Sequence, residues 1–93
     1  MSGQALPVRL TLYTRPGCHL CDLMRDAVWR AAARVPLTLD EIDITTDPAL
    51  TTRYGTEVPV LLAGGRELAR HRITDAGLVE GLTRASRNRD ADG

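Results

Sequence analysis

Cys18-His19-Leu20-Cys21 holds both cysteines of a 93-residue chain, three positions apart and shortly after the alternating apolar run Val8 to Thr14. If a helix begins at Cys18, the two sulfurs lie on one helix face a turn apart, close enough to close a small disulfide ring. The first-turn N–H groups and the positive end of the helix dipole then favour a thiolate at Cys18, lowering its pKa from about 8.5 into the range of roughly 3.5 to 7.5. The chemistry this spacing predicts is thiol–disulfide exchange, with Cys18 attacking and a buried, initially protonated Cys21 resolving. His19, beside the thiolate, stabilises the reduced form if it is cationic. Arg15, three residues before Cys18, is placed to pair with the thiolate or with a substrate carboxylate.

Two other uses of the cysteines have to be weighed. A structural staple between residues three apart closes too short a loop to restrict the unfolded chain much. Zinc needs four ligands, and beside Cys18 and Cys21 the chain offers only His19 and His71, with Asp22 as a poor fifth candidate. His19, at an intervening helical position, points away from both sulfurs. No metal site is therefore expected.

The elements that must position the dithiol can be read from periodicity. Val8, Leu10 and Leu12 alternate with Arg9, Thr11 and Tyr13 as a half-buried strand, ended by Pro16-Gly17. Leu20, Met24, Ala27, Val28, Ala31 and Val35 recur at helical steps, predicting a helix to about Arg34. Leu37, Leu39, Ile42 and Ile44 read as a second strand, whose phase slips at Asp40-Glu41 as a bulge or an acidic edge would make it. A short helix capped by Thr46 or Asp47 ends at Gly55. Val58 to Ala63 is an apolar strand, Gly64-Gly65 a tight turn and Arg66 to Arg70 the returning arm. Thr74 or Asp75 caps a last helix carrying Leu78, Val79 and Leu82.

The order strand, helix, strand, helix, strand, strand, helix (βαβαββα) predicts an α/β fold with a four-stranded mixed sheet flanked by helices. The first two strands are parallel through a helical crossover and a hairpin closes the sheet. Residues 1–7 form an N-terminal extension, 8–84 the domain, and 85–93 a polar tail expected to be frayed. Pro59 opens a central apolar strand that would ordinarily exclude it, so a cis Val58-Pro59 bond is expected, leaving the Val58 backbone free to pair with an incoming chain.

Twelve basic and twelve acidic residues cancel and are interspersed, so no basic face points to nucleic acid. No stretch reaches the length of a membrane span and Met1 to Pro7 lacks a secretory pattern, so a cytoplasmic protein with no membrane partner is expected. A close cysteine pair in that reducing setting is catalytic or metal-binding rather than structural.

Tyr13-Thr14-Arg15-Pro16-Gly17-Cys18-His19-Leu20-Cys21, followed by Val58-Pro59-Val60-Leu61 and the Gly64-Gly65 hairpin, resembles the glutaredoxin-like proteins of the thioredoxin superfamily. It is most similar to a small bacterial group with an Arg-Pro-Gly-Cys-His-Leu-Cys site, and the resemblance covers about Val8 to Leu82. It implies a thioredoxin-like fold and a dithiol–disulfide oxidoreductase. Cys18 is then the attacking and Cys21 the resolving thiol, Pro59 the cis-proline facing the sulfurs, and Arg15 stands in place of the family's lysine. Val58 would make main-chain hydrogen bonds to a bound thiol peptide.

Two departures qualify the resemblance. Ala69-Arg70-His71-Arg72 replaces the Gly-Gly and Asp with which glutaredoxins hold glutathione, and Leu12 stands where thioredoxins have a buried acid. The implied partners are a disulfide-containing protein or small thiol substrate and a reducing partner acting on a monomer. No cofactor is bound, and glutathione or a dithiol reductase system donates electrons. The alternatives are a non-catalytic binding module that uses the groove beside Pro59, and a metal-binding protein using the same cysteines.

Overall fold

The structure, a computed structural model, describes residues 7–92. In chain order the elements are β1 (Val8–Thr14), α1 (His19–Ala31), β2 (Leu37–Asp43), a 3-10 turn (Ile44–Thr46), α2 (Pro48–Tyr54), β3 (Val60–Ala63), β4 (Arg66–Arg70) and α3 (Asp75–Asp92). The sheet order is β2-β1-β3-β4, with β1 and β2 parallel and the other pairs antiparallel. This is the α/β mixed sheet that the element order predicts.

Alternation along β1 divides the core into two layers. Val8, Leu10 and Leu12 join Leu61, Met24, Ala27, Val28 and Ala31 of α1, and Leu78 and Leu82 of α3. The intervening position Tyr13 joins Val60, Leu62, Ile44, Leu50, Tyr54 and Val58 on the other face, and this second cluster also holds Cys18 and Cys21. Leu10, Leu12, Leu61, Leu78 and Leu82 are each at most 2% exposed. Burying such a side chain contributes about 1.5–3 kcal/mol. The large apolar layer thus anchors α1 on the sheet, and the smaller one is built around the dithiol.

Several boundaries differ from the sequence reading. α1 stops at Ala31 rather than near Arg34, because the Ala33 and Arg34 amides turn back on the Arg30 and Ala31 carbonyls while Val35 stays in the core. β2 has no bulge: it pairs in step with β1 from Val8 with Leu37 to Thr14 with Asp43. The phase slip at Asp40-Glu41 therefore marks the other possibility, an acidic edge strand, a pattern that discourages further strand pairing. β3 begins at Val60, two residues later than expected, since Pro59 has no N–H to give to a ladder. α3 continues past Arg84 to Asp92, and Ala85 packs against the main core layer, so the chain is helical where a frayed tail is expected from sequence. Of the N-terminal extension only Pro7 lies within the described residues, and Gly93 also lies outside them.

The caps follow local chemistry. The Asp47 carboxylate accepts the Ala49 amide at 2.9 Å with Pro48 in the first turn of α2, and the Thr74 hydroxyl accepts the Gly77 amide at 3.0 Å to open α3. Gly64 and Gly65 have φ of 57° and 88°, the pair of positive values that a two-residue hairpin of this hand requires.

β4 contains a bulge that the sequence does not announce. Ala63 pairs with Arg66 and Leu62 with Glu67, but Leu61 pairs with Ala69 and Val60 with Arg70, so Leu68 is the extra residue. Leu68 and Ala69 both pack on the layer with α1 and α3. The extra residue reverses the alternation beyond it, and Arg70 comes to the same face as Glu67 and Val60.

Candidate functional site

β1 ends at Thr14, the turn Arg15-Pro16-Gly17 follows with Gly17 at φ 75°, and α1 starts at His19 with Cys18 as its N-cap. The N-cap φ and ψ of Cys18, −92° and 107°, are extended, so its side chain folds back over the first turn. There its Sγ accepts the Cys21 amide at 3.1 Å. A sulfur in this position faces the positive end of α1, the arrangement that lowers a thiol pKa. Asp22 adds an acidic group to the same turn, and Arg25 neutralises it at 2.8 Å.

Cys18 and Cys21 form a disulfide with a Cα–Cα distance of 5.2 Å. That separation lies within the window of about 4.4 to 6.8 Å in which a bridge forms without moving the backbone. The pair is asymmetric: Cys18 is half-buried, whereas Cys21 is 1% exposed and packed with Ile44, Tyr54, Val58 and Val60. The outer sulfur is the more accessible and also the one at the helix terminus.

The segment between α2 and β3 packs beside the dithiol. The Val58-Pro59 peptide bond is cis, and both residues are buried. Arg15 pairs with no carboxylate among the described residues; its Nη1 donates to the Gly55 carbonyl at 3.0 Å, tying the turn before Cys18 to the end of α2. The Glu57 amide donates to the Tyr54 carbonyl at 2.8 Å. Tyr54 stacks on Tyr13 with ring centroids 4.7 Å apart, and the Arg53 guanidinium lies over the Tyr54 ring at 5.3 Å. The aromatic pair walls the cluster that holds both sulfurs.

On its far side this segment meets the end of β4. The His71 amide donates to the Pro59 carbonyl at 2.8 Å. Glu57 Oε1 accepts both Arg70 Nη1 and His71 Nε2 at 3.1 Å, and Arg70 also donates to Glu67 through Nε and Nη2. Arg70 foremost, then the Thr56 hydroxyl and the nearby His71, hold the Glu57 carboxyl below its usual range. The Arg70 guanidinium does the same for Glu67.

The structure brings together Cys18, Cys21 and Val58 from the set read in the sequence, with Pro59 joined to Val58 by the cis bond and Arg15 braced against the neighbouring turn. His19 is exposed in the first turn of α1, and its side chain joins none of the hydrogen bonds or ion pairs among the described residues. Leu12 is fully buried in the main core layer, so no acid lies at that position. Sequence reasoning missed Tyr54 and Glu57. Tyr54 had a signal, since it and Tyr13 are the chain's two tyrosines and one of them adjoins the cysteine motif. Glu57 had none, because its charged partners are the last residue of β4 and the one after it, thirteen and fourteen residues away. Among the described residues, no group of three or more His, Cys, Asp and Glu side chains is disposed to hold a metal ion.

Comparison with known proteins is consistent with this arrangement. Residues 9–83 match the model of a family described as Glutaredoxin-like domain (DUF836). The solved structure of structural-genomics target protein XcR50 from X. campestris is 37% identical, with 81% of this chain and 96% of that chain covered and a TM-score of 0.71. The solution structure of protein Ne2328 from Nitrosomonas europaea is 31% identical over 88% of this chain and 99% of that one, with a TM-score of 0.76. A thioredoxin from Thermosipho africanus, 15% identical over 88% and 98% of the two chains, shares the fold with a TM-score of 0.62.

Proposed function

Because this chain belongs to the glutaredoxin-like domain family of the thioredoxin superfamily, we propose that it is a thiol–disulfide oxidoreductase that works through the Cys18–Cys21 dithiol. The observation that carries the reading is the asymmetry of the pair, with Cys18 at the helix N-cap and half-buried and Cys21 sealed beneath it. In the reduced protein the Cys18 thiolate attacks one sulfur of a substrate disulfide. The substrate's S–S bond breaks, its first thiolate leaves, and a mixed disulfide joins Cys18 to the other half. Cys21 then loses its proton and attacks Cys18 Sγ, releasing the second substrate thiol. Two electrons have passed to the substrate, and the chain is left with the Cys18–Cys21 bond.

The surroundings supply binding and orientation. The Val58 backbone, beside Pro59, is the main-chain edge offered to the substrate's extended peptide. Arg15 holds the turn before Cys18 against Gly55, and His19 adds a positive charge near the thiolate when protonated. A disulfide-containing protein or small thiol is the substrate, and an external thiol, glutathione or a dithiol reductase, restores the dithiol. The setting is the cytoplasm and the acting unit a monomer. Among the described residues no helix is long and apolar enough to cross a membrane.

The test is disulfide reduction by wild type, Cys18→Ser and Cys21→Ser, with glutathione or a thioredoxin reductase system as alternative electron donors. Cys18→Ser is expected to be inactive, and Cys21→Ser to accumulate a mixed disulfide detectable by mass spectrometry. Equal rates in wild type and Cys18→Ser would refute the proposal.

A further inference from the structure

The bulge at Leu68 has a consequence at the site. It brings Arg70 to the face of Glu67 and Val60, where the guanidinium reaches Glu57, the residue before Val58-Pro59. His71 follows with φ 69°, a left-handed conformation that side chains other than glycine rarely adopt. That conformation turns its amide onto the Pro59 carbonyl and its ring onto Glu57. Three contacts from two consecutive residues thus converge on residues 57–59.

We propose that Glu57 is a positioning residue, which through Arg70 and His71 fixes the Val58-Pro59 segment against the dithiol and so sets affinity for the disulfide substrate. The proposal rests on the reading that substrate meets Cys18 beside this segment. The charged groups facing Glu57 are Arg70 and His71, with Glu67 sharing Arg70 and the Thr56 hydroxyl donating to the second carboxylate oxygen at 3.2 Å. Of the hydrogen bonds and ion pairs that Arg70 and His71 make among the described residues, none reaches a sulfur. Their effect on the reaction is indirect, through the backbone they hold. An exposed, carboxylate-centred clamp of this kind suits adjustment of binding rather than of thiol reactivity.

The experiment uses the full chain as wild type, Glu57→Gln and Glu57→Ala. Hydrogen exchange of the His71 amide, followed by NMR, reads the hold on the Pro59 carbonyl without reference to activity. Exchange is expected to accelerate in the order wild type, Gln, Ala, by about two- to five-fold overall, the scale of losing exposed ion pairs. KM for a cystine-bridged peptide is expected to rise by about the same factor. In contrast, kcat and the rate of Cys18 alkylation by iodoacetamide stay at the wild-type value. Unchanged exchange in Glu57→Ala overturns the proposal, as does faster exchange with unchanged KM or a parallel loss of alkylation rate. A wild-type protein that alkylates at Cys18 but reduces no disulfide defeats the oxidoreductase reading instead, while the exchange measurement still decides the clamp.

Discussion

His71 offers a way to separate backbone strain from side-chain contact, because its substitution by glycine should cost less stability than its substitution by alanine. Both changes remove the ring from Glu57, so the lost contact is common to the two. They differ in the backbone: at φ 69° an alanine keeps the clash between Cβ and the following carbonyl, while glycine has no Cβ to clash. The left-handed conformation disfavours a residue with a Cβ by about 1–2 kcal/mol. His71→Gly should therefore be more stable than His71→Ala by about that amount, less what glycine gains in freedom in the unfolded chain. For a domain of this size 1 kcal/mol corresponds to about 4–8 °C in Tm. Roughly 1 kcal/mol then remains, and a separation of about 4–8 °C between the variants is expected by calorimetry, with His71→Gly the nearer to wild type. Both variants should raise KM for a peptide disulfide, so that His71→Gly combines a higher Tm than His71→Ala with the same weakened binding. Equal Tm values would refute the strain argument. Wild-type KM in both variants would show that the His71 ring does not act on the substrate-facing segment.

Two further predictions concern the scaffold. Leu82 is fully buried between α3 and the sheet, and Leu82→Ala should lower stability in urea by about 2–5 kcal/mol through lost burial and an incompletely closed cavity; a loss below that range would mean that α3 is not anchored there. Glu57 and Glu67, beside Arg70, and Glu41, beside Arg25, all have carboxyl pKa values below the ordinary 4.5. Because these folded values lie below the unfolded ones, the stability they contribute is complete above about pH 4.5 and is lost as pH falls through the folded values. The urea midpoint should accordingly hold steady from neutrality to about pH 5 and then decline. Arg70→Gln should flatten part of that decline, and an unchanged acid limb in this variant would contradict the assignment.

The dithiol was legible because its chemistry is local. Cysteines three apart after a strand and a Pro-Gly turn place one sulfur at a helix N-terminus and the other one turn inside it, whatever the rest of the fold does. The element order was legible for a similar reason: Leu10 and Leu12 at period two, and Met24, Ala27, Val28 and Ala31 at helical period, each specify one buried face. Boundaries were less so. The start of β3 at Val60 follows from the N–H that Pro59 lacks, a local signal, whereas Ala85 is an anchor only because α3 lies across the core layer.

What the sequence by itself determined is the βαβαββα order, the position of Cys18 and Cys21 on it, and the hairpin at Gly64-Gly65. Short-range sterics and hydrophobic period act within a few residues and leave those features little choice. Only the tertiary structure decided what Arg15, Glu57, Arg70 and His71 do. Arg15 reaches a carbonyl forty residues away rather than a sulfur or a carboxylate. Arg70 and Glu67 would point to opposite faces of a regular strand, being three apart, and one bulged residue reverses that. The bulge follows from packing Leu68 and Ala69 together on the core layer. That preference depends on helices distant in sequence, and no local pattern in β4 contains it.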